Sequence, residues 1–181
     1  MDLHTDYSKQ TCSPNQLLKL IAFDHFYKSP YDVRKYALEQ TYEYIDTQNH
    51  FRSTTAPNIV GMQSILRKKM EPIIGPIRFD EPTGHFHYIK KSSPLVAHTT
   101  LDRKKWTAVV FLTPDANIDS GIGLFKSSDD VITLDDHIGN IFNRIIIFNT
   151  YYSHRFTAAF GDDLYTGCLY QSVRFTGEAH C

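Results

Sequence analysis

The sequence predicts an α+β fold in which an N-terminal helical layer supports a C-terminal antiparallel barrel or sandwich. Three observations carry that expectation. Residues 1–75 show apolar positions at helical spacing behind Ser-Pro start signals. From Ile77 onward, apolar residues alternate or form short runs bounded by turn residues. Two of those runs, 106–112 and 144–148, are apolar on both parities, as strands buried on both faces are.

The elements follow in order. Ser13-Pro14 puts Ser at an N-cap and Pro at the first helical position, and Leu17, Leu18, Leu20 and Ile21 follow, so 15–22 is expected to be helical. Ser29-Pro30 repeats the signal, with Asp32 placed to complement the helix dipole. This second helix should reach Gln40 or Thr47, with Val33, Tyr36, Ala37 and Tyr44 inward. A third pattern spans 58–74, where Ile59, Met62, Ile65, Leu66 and Met70 recur at helical spacing before Gly75-Pro76 stops it. Strands are expected at 77–79, at 85–89 after the turn Glu81-Pro82-Thr83-Gly84, and at 94–98, 106–112, 121–125 and 143–149. Pro114-Asp115-Ala116-Asn117 and Ser127-Ser128-Asp129-Asp130 break them, and a last strand-like segment, 166–175, closes the chain. With 181 residues and no repeat or linker, one domain (1–181) is the economical reading: 1–75 mainly helical support, 76–176 the barrel core.

Composition narrows the function classes. A net charge of −1 gives no long-range attraction to nucleic acid or anionic lipid. The runs Arg67-Lys68-Lys69 and Arg103-Lys104-Lys105 read as solvated faces. Three widely spaced cysteines, Cys12, Cys168 and Cys181, make neither a disulfide framework nor a zinc site. No stretch approaches the roughly 20 apolar residues of a membrane span. The first residues lack the basic and apolar blocks of a signal peptide, so a reducing cytoplasm is the expected setting.

Chemistry points to histidines. His98 ends the apolar run 94–98 and His154 follows the run 144–148, each at a strand end, as ligands of a metal in a barrel mouth would be; two half-buried histidines with hydrogen-bond partners are the plainer alternative. His85 and His87 share one face of a strand, which an exposed polar face explains as well as a His-x-His metal site does. No Gly-x-Ser-x-Gly occurs, and Gly121-Ile122-Gly123 lacks the helix and Lys of a phosphate-binding loop.

Several segments together are familiar: Gly84-His85-Phe86-His87-Tyr88 leading to Val96-Ala97-His98; Trp106-Thr107-Ala108-Val109-Val110-Phe111-Leu112-Thr113-Pro114-Asp115-Ala116; Ser120-Gly121-Ile122-Gly123-Leu124-Phe125; and Gly139-Asn140-Ile141-Phe142-Asn143-Arg144-Ile145-Ile146-Ile147-Phe148 leading to His154. In order and spacing the chain resembles the 2-oxoglutarate/Fe(II)-dependent oxygenases, nearest the small prolyl-hydroxylase-like proteins of phage and marine bacteria. The resemblance implies a double-stranded β-helix (a jelly-roll, cupin-like barrel), Fe(II) as cofactor, 2-oxoglutarate as co-substrate, and hydroxylation of an unactivated C–H bond in a small-molecule or peptidyl substrate. The setting would be the cytoplasm, a host's if the chain is viral. Loops such as 48–58 and 126–137 would choose the substrate.

The resemblance also implies a His-x-Asp plus distal His triad, which leaves open positions for co-substrate and O2. His98 and His154 take the histidine roles. Thr100 stands two after His98 where Asp is expected, while Asp102 follows in a segment about two residues longer than usual. Either Asp102 serves as the carboxylate through a bulge, or the site lacks one, as in related halogenases, where the residue is Gly or Ala. The closing Gly-Arg-Leu is Gly167-Cys168-Leu169 here, so the 2-oxoglutarate anchor is a Cys. Arg174, on the same strand parity about 20 Å further along at ~3.3 Å per residue, Arg155 and Tyr88 are the other candidates for binding the co-substrate, and Arg144 reads as a structural ion-pair residue. Losing both the carboxylate and the Arg would equally suit a barrel that binds a ligand or partner without turnover, or one with altered chemistry.

Overall fold

The computed structural model describes residues 18–45, 50–57, 61–80, 82–100, 102–128 and 131–177. Among these, strands β1 (Leu20–Phe23), β2 (Tyr42–Tyr44), β3 (His50–Ser53), β4 (Ile77–Phe79), β5 (Phe86–Ile89), β6 (Lys105–Phe111), β7 (Ile122–Ser128), β8 (Val131–Ile138), β9 (Ile145–Asn149), β10 (Ser153–Phe156) and β11 (Cys168–Gly177) join helices α1 (Pro30–Leu38) and α2 (Met62–Ile74). The larger sheet runs β1-β9-β6-β11-β5-β3-β2, with β4 on the end of β11; the smaller runs β10-β7-β8. Every pairing is antiparallel. This is the expected double-stranded β-helix with a helical layer on the outer face of the large sheet.

The doubly apolar runs explain why the large sheet lies in the middle. Along β6, Trp106, Ala108 and Val110 enter the core shared with the helices, whereas Val109 and Phe111 enter the core between the two sheets. On β9, Ile145 and Ile147 divide from Ile146 and Phe148 in the same way. Period-two alternation with both faces apolar leaves only a three-layer solution.

Within 1–75 the structure corrects the helical expectation. Residues 20–23 form β1, paired with β9, and residues 42–44 and 50–53 form an antiparallel pair that extends the sheet beyond β5. Leu20 and Ile21 suit a helix locally, yet pairing Leu20 with Phe148 and Ile21 with Ile147 covers the edge of a buried strand, and tertiary burial outweighs weak propensity. The start of that expected helix lies outside the described residues. Ser29-Pro30 does begin α1, with Pro in the first turn, though the Ser29 side chain makes no capping bond. The helix stops at Leu38, short of Gln40. In α2 the buried stripe is Met62, Leu66, Met70 and Ile74, while Ile65 lies at its exposed margin.

The 126–137 segment is also not a loop. Residues 122–128 and 131–138 pair as β7 and β8, and His137 lies in β8 opposite Gly123. Likewise, 48–58 contains β3. At the bend joining the small sheet, a Cβ on Gly121 would stand 1.8 Å from the Ile138 carbonyl oxygen, so only glycine permits this close approach. No helix among the described residues is long and apolar enough to cross a membrane.

Candidate functional site

The mouth between the two sheets is built from backbone pairing. His98 and His154 form an antiparallel bridge and exchange both N–H···O bonds at 2.9 Å, which extends the small sheet past β10. Directly opposed residues project to one face, and the two imidazole centroids lie 6.3 Å apart. The Phe148 ring packs against His154 at 4.7 Å. Tyr152 O lies 2.9 Å from His154 Nδ1, which orients the ring and leaves Nε2 for another partner. Burial holds the His154 pKa below its ordinary value; His98 and Arg174 add to the effect, and the Tyr152 bond opposes it. A neutral imidazole with a free nitrogen is a ready metal donor.

Among the described residues, no carboxylate completes the pair. Among the described residues, no three His, Cys, Asp or Glu gather as a metal site would need. Thr100 Oγ1 lies 2.8 Å from Thr150 Oγ1, and the Thr150 hydroxyl donates in turn to the Lys105 carbonyl, so Thr100 is tied to the neighbouring chain. Exposed Asp102 accepts from the Lys104 N–H at 2.9 Å and its carbonyl from the Lys105 N–H. It therefore caps the turn entering β6, the usual local use of an Asp in that position. The donor set present fits a metal held by two imidazoles. Among the described residues it does not make up a set of three protein ligands.

The remaining candidates divide by strand parity. Cys168 faces the inter-sheet core, fully buried, with Asn140 Nδ2 donating to Sγ at 3.4 Å; burial pushes the thiol up to about 12. Arg174 shares that face of β11, six residues on, and its charge reaches both His87 and His154. Tyr88 points the other way, stacked on Phe51 at 4.4 Å and edge-on to Tyr42 in the outer layer. Arg155 alternates with His154 on β10, so it also turns outward, lying over Phe125 and donating to the Leu95 carbonyl. Arg144 pairs with Asp24 at 2.6 Å, as a structural residue would.

Of the residues that line the inner wall beside this mouth, sequence reasoning singled out His87 and left out His50, Arg52 and Tyr170. His50 and Arg52 on β3, His87 on β5 and Tyr170 on β11 all lie on the inner face. His50 Nε2 is 2.6 Å from Tyr170 Oη, and the His87 ring stacks on Tyr170 at 5.2 Å. Tyr170 in turn meets Phe156 of the small sheet at 4.8 Å. The parity signal was present for Tyr170, two residues from Cys168 and four from Arg174. Nothing local announced that His50 and Arg52 belong to a strand beside it. His85 is held outside this group by a contact between its Nδ1 and the Ser53 carbonyl.

Comparison with solved structures supports the architecture. HygX from Streptomyces hygroscopicus, solved with nickel and 2-oxoglutarate bound, aligns at TM-score 0.66 and 12% identity, covering 92% of this chain and 87% of that one. The fold is that of the 2-oxoglutarate/Fe(II)-dependent oxygenases. A prolyl hydroxylase from Trichoplax adhaerens, in complex with a hypoxia inducible factor oxygen degradation domain peptide fragment, aligns at TM-score 0.58 and 11% identity over 89% and 84% of the two chains. A Pseudomonas putida prolyl-4-hydroxylase aligns at TM-score 0.51 and 12% identity over 90% and 94%. No protein-family model matches the chain, and no curated protein matches it in sequence.

Proposed function

We propose that this chain is a 2-oxoglutarate/Fe(II)-type oxygenase whose metal is held by His98 and His154. The observation that carries the reading is the bridged histidine pair at the mouth of a barrel with this fold. Iron with 2-oxoglutarate and O2 would supply an oxidant able to take hydrogen from an unactivated C–H bond. The chain's own residues do the rest. Backbone pairing holds the two imidazoles on one face, Tyr152 O orients His154, and Phe148 covers the ring against water. With no carboxylate in the described ligand group, one more coordination position is open than in a three-ligand site. We place the protein in the cytoplasm as a single domain of residues 1–181. Its substrate is a small molecule or a peptide, the two kinds bound by HygX, solved with hygromycin B, and by the Trichoplax prolyl hydroxylase.

A second reading has its own support. Thr100 tied to Thr150, and Cys168 buried where an Arg is expected, suit a barrel that binds a ligand without turnover. Anaerobic titration with Fe(II), then with 2-oxoglutarate, separates the two. The oxygenase reading expects a visible metal-to-ligand charge-transfer band, lost in His98→Ala and in His154→Ala. Iron binding without the band, or no iron binding at all, overturns it in favour of the binding barrel.

A further inference from the structure

At the end of β9, Asn149 is buried and takes partners from three separate stretches of chain. Its backbone N–H donates to the Lys19 carbonyl at 2.9 Å, and its carbonyl accepts the Tyr152 N–H at 3.3 Å. Its side-chain Oδ1 accepts the Tyr151 N–H at 2.9 Å, the bond by which an Asn closes a turn on its own backbone. Its Nδ2 donates to the Arg103 carbonyl at 2.7 Å. Only an amide meets both side-chain partners, because one is an N–H that can only donate and the other a carbonyl that can only accept. An Asp would set an acceptor against the Arg103 carbonyl, and an apolar side chain would leave both partners unmet. Arg103 holds the same turn a second time, with its guanidinium 4.7 Å over the Tyr151 ring.

That turn serves both histidines. Tyr152, held by the Asn149 carbonyl, presents its own carbonyl to His154 Nδ1 at 2.9 Å. A carbonyl only accepts, so Nδ1 carries the hydrogen and Nε2 the lone pair. Thr99, the neighbour of His98, donates its hydroxyl to the Tyr151 carbonyl at 2.9 Å. We propose that Asn149 is a positioning residue for the histidine pair. Through the turn 150–152 it selects the His154 tautomer that leaves Nε2 as the donor atom, and it keeps the His98 segment in place beside it. Among the described residues two imidazoles make up the whole donor set, so one in the wrong tautomer removes half of it. Contacts behind a metal-binding imidazole govern metal affinity by about 10–100-fold. The inference rests on the proposed metal site for its purpose; the tautomer itself stands or falls without metal.

The test records proton–nitrogen-15 correlation spectra of the metal-free full chain at a pH where imidazoles are neutral. The His154 signals are assigned by their loss in His154→Ala. The wild-type chain is expected to carry hydrogen on His154 Nδ1; hydrogen on Nε2 overturns the proposal before any further variant is made. Asn149→Ala should mix the two tautomers, and Co(II), added as the metal alone, should bind at least about tenfold more weakly. Asn149→Ser keeps an acceptor for the Tyr151 N–H but cannot reach Arg103, so both readings should fall between Ala and wild type. Leu66→Ala, destabilised in the core under α2, should leave both readings unchanged, which separates positioning from stability. A folded Asn149→Ala with the wild-type tautomer and Co(II) affinity reduces Asn149 to a turn former and overturns the proposal. If Asn149→Ala does not fold, Asn149→Ser decides, and readings equal to wild type overturn it. If the tautomer responds to these changes while wild type binds no Co(II), the positioning role stands and the metal reading falls.

Discussion

Cys168 shows how one side chain is governed by its surroundings. It sits fully buried on the inner face of β11, and burial raises its thiol to about 12, with only the Asn140 contact opposing. A thiol that stays protonated is neither nucleophile nor metal ligand. In a Cys12→Ser, Cys181→Ser background, Cys168 should react with a thiol reagent only at the rate of global unfolding; rapid labelling of the native chain would contradict the burial. His87 gives a pH prediction of the same kind. Burial, then the charges of His50, His85, Arg174 and Arg52, hold it neutral in the fold, whereas in the unfolded chain it titrates near 6.5. Below that pH the unfolded state binds a proton that the folded state refuses. Stability is therefore full above the unfolded value and falls as pH drops from about 6.5 toward the folded value. His154 adds in the same direction. Urea unfolding midpoints should decline across this window, and more shallowly in His87→Phe.

At the scale of elements, α2 shows why amphipathic spacing was readable and its neighbours were not. Met62, Leu66, Met70 and Ile74 recur every four residues and all enter the core under the large sheet. Leu66→Ala should cost about 2–5 kcal/mol, read from chemical denaturation. Ile65→Ala, on the exposed margin, should stay within roughly 1 kcal/mol. The strands that escaped sequence reading are short or polar. Tyr42–Tyr44 and His50–Ser53 have no apolar run, and β8 carries Asp135 and Asp136 beside exposed Ile132 and Leu134. Their pairing is decided by the edges they find. The Lys19 ammonium bonds Asp135 at 2.6 Å and joins the start of β1 to β8, a link between residues far apart in the chain.

For the whole molecule, two sheets closing on each other bring β3, β5, the His98 segment, β10 and β11, stretches far apart in the chain, to one inner surface together with β6, β7 and β9. The histidine pair lies at its mouth and His87, stacked on Tyr170, along its wall, with the Arg174 charge acting on both His87 and His154. The histidine pair is tested by the iron titration. The Glu43–Arg52 ion pair at the sheet margin is exposed enough that its own stabilisation is small.

By itself, the sequence determined the doubly buried strands β6 and β9, the helix α2, and the departures at Thr100 and Cys168, because each is written in local periodicity or in a single position; the expected strand 94–98 is only an isolated bridge at His98, and His154 lies within β10. Only the tertiary structure decided that 20–23, 42–44, 50–53 and 131–138 are strands, that Tyr88 and Arg155 turn away from the inner wall, and that Arg52 pairs in register with His87, each with one buried nitrogen lacking a partner. The physical reason is the same throughout. A strand's pairing partner, and with it the face each residue presents, depends on edges contributed by distant chain, and a buried polar atom lacks a partner only in the context of everything packed around it.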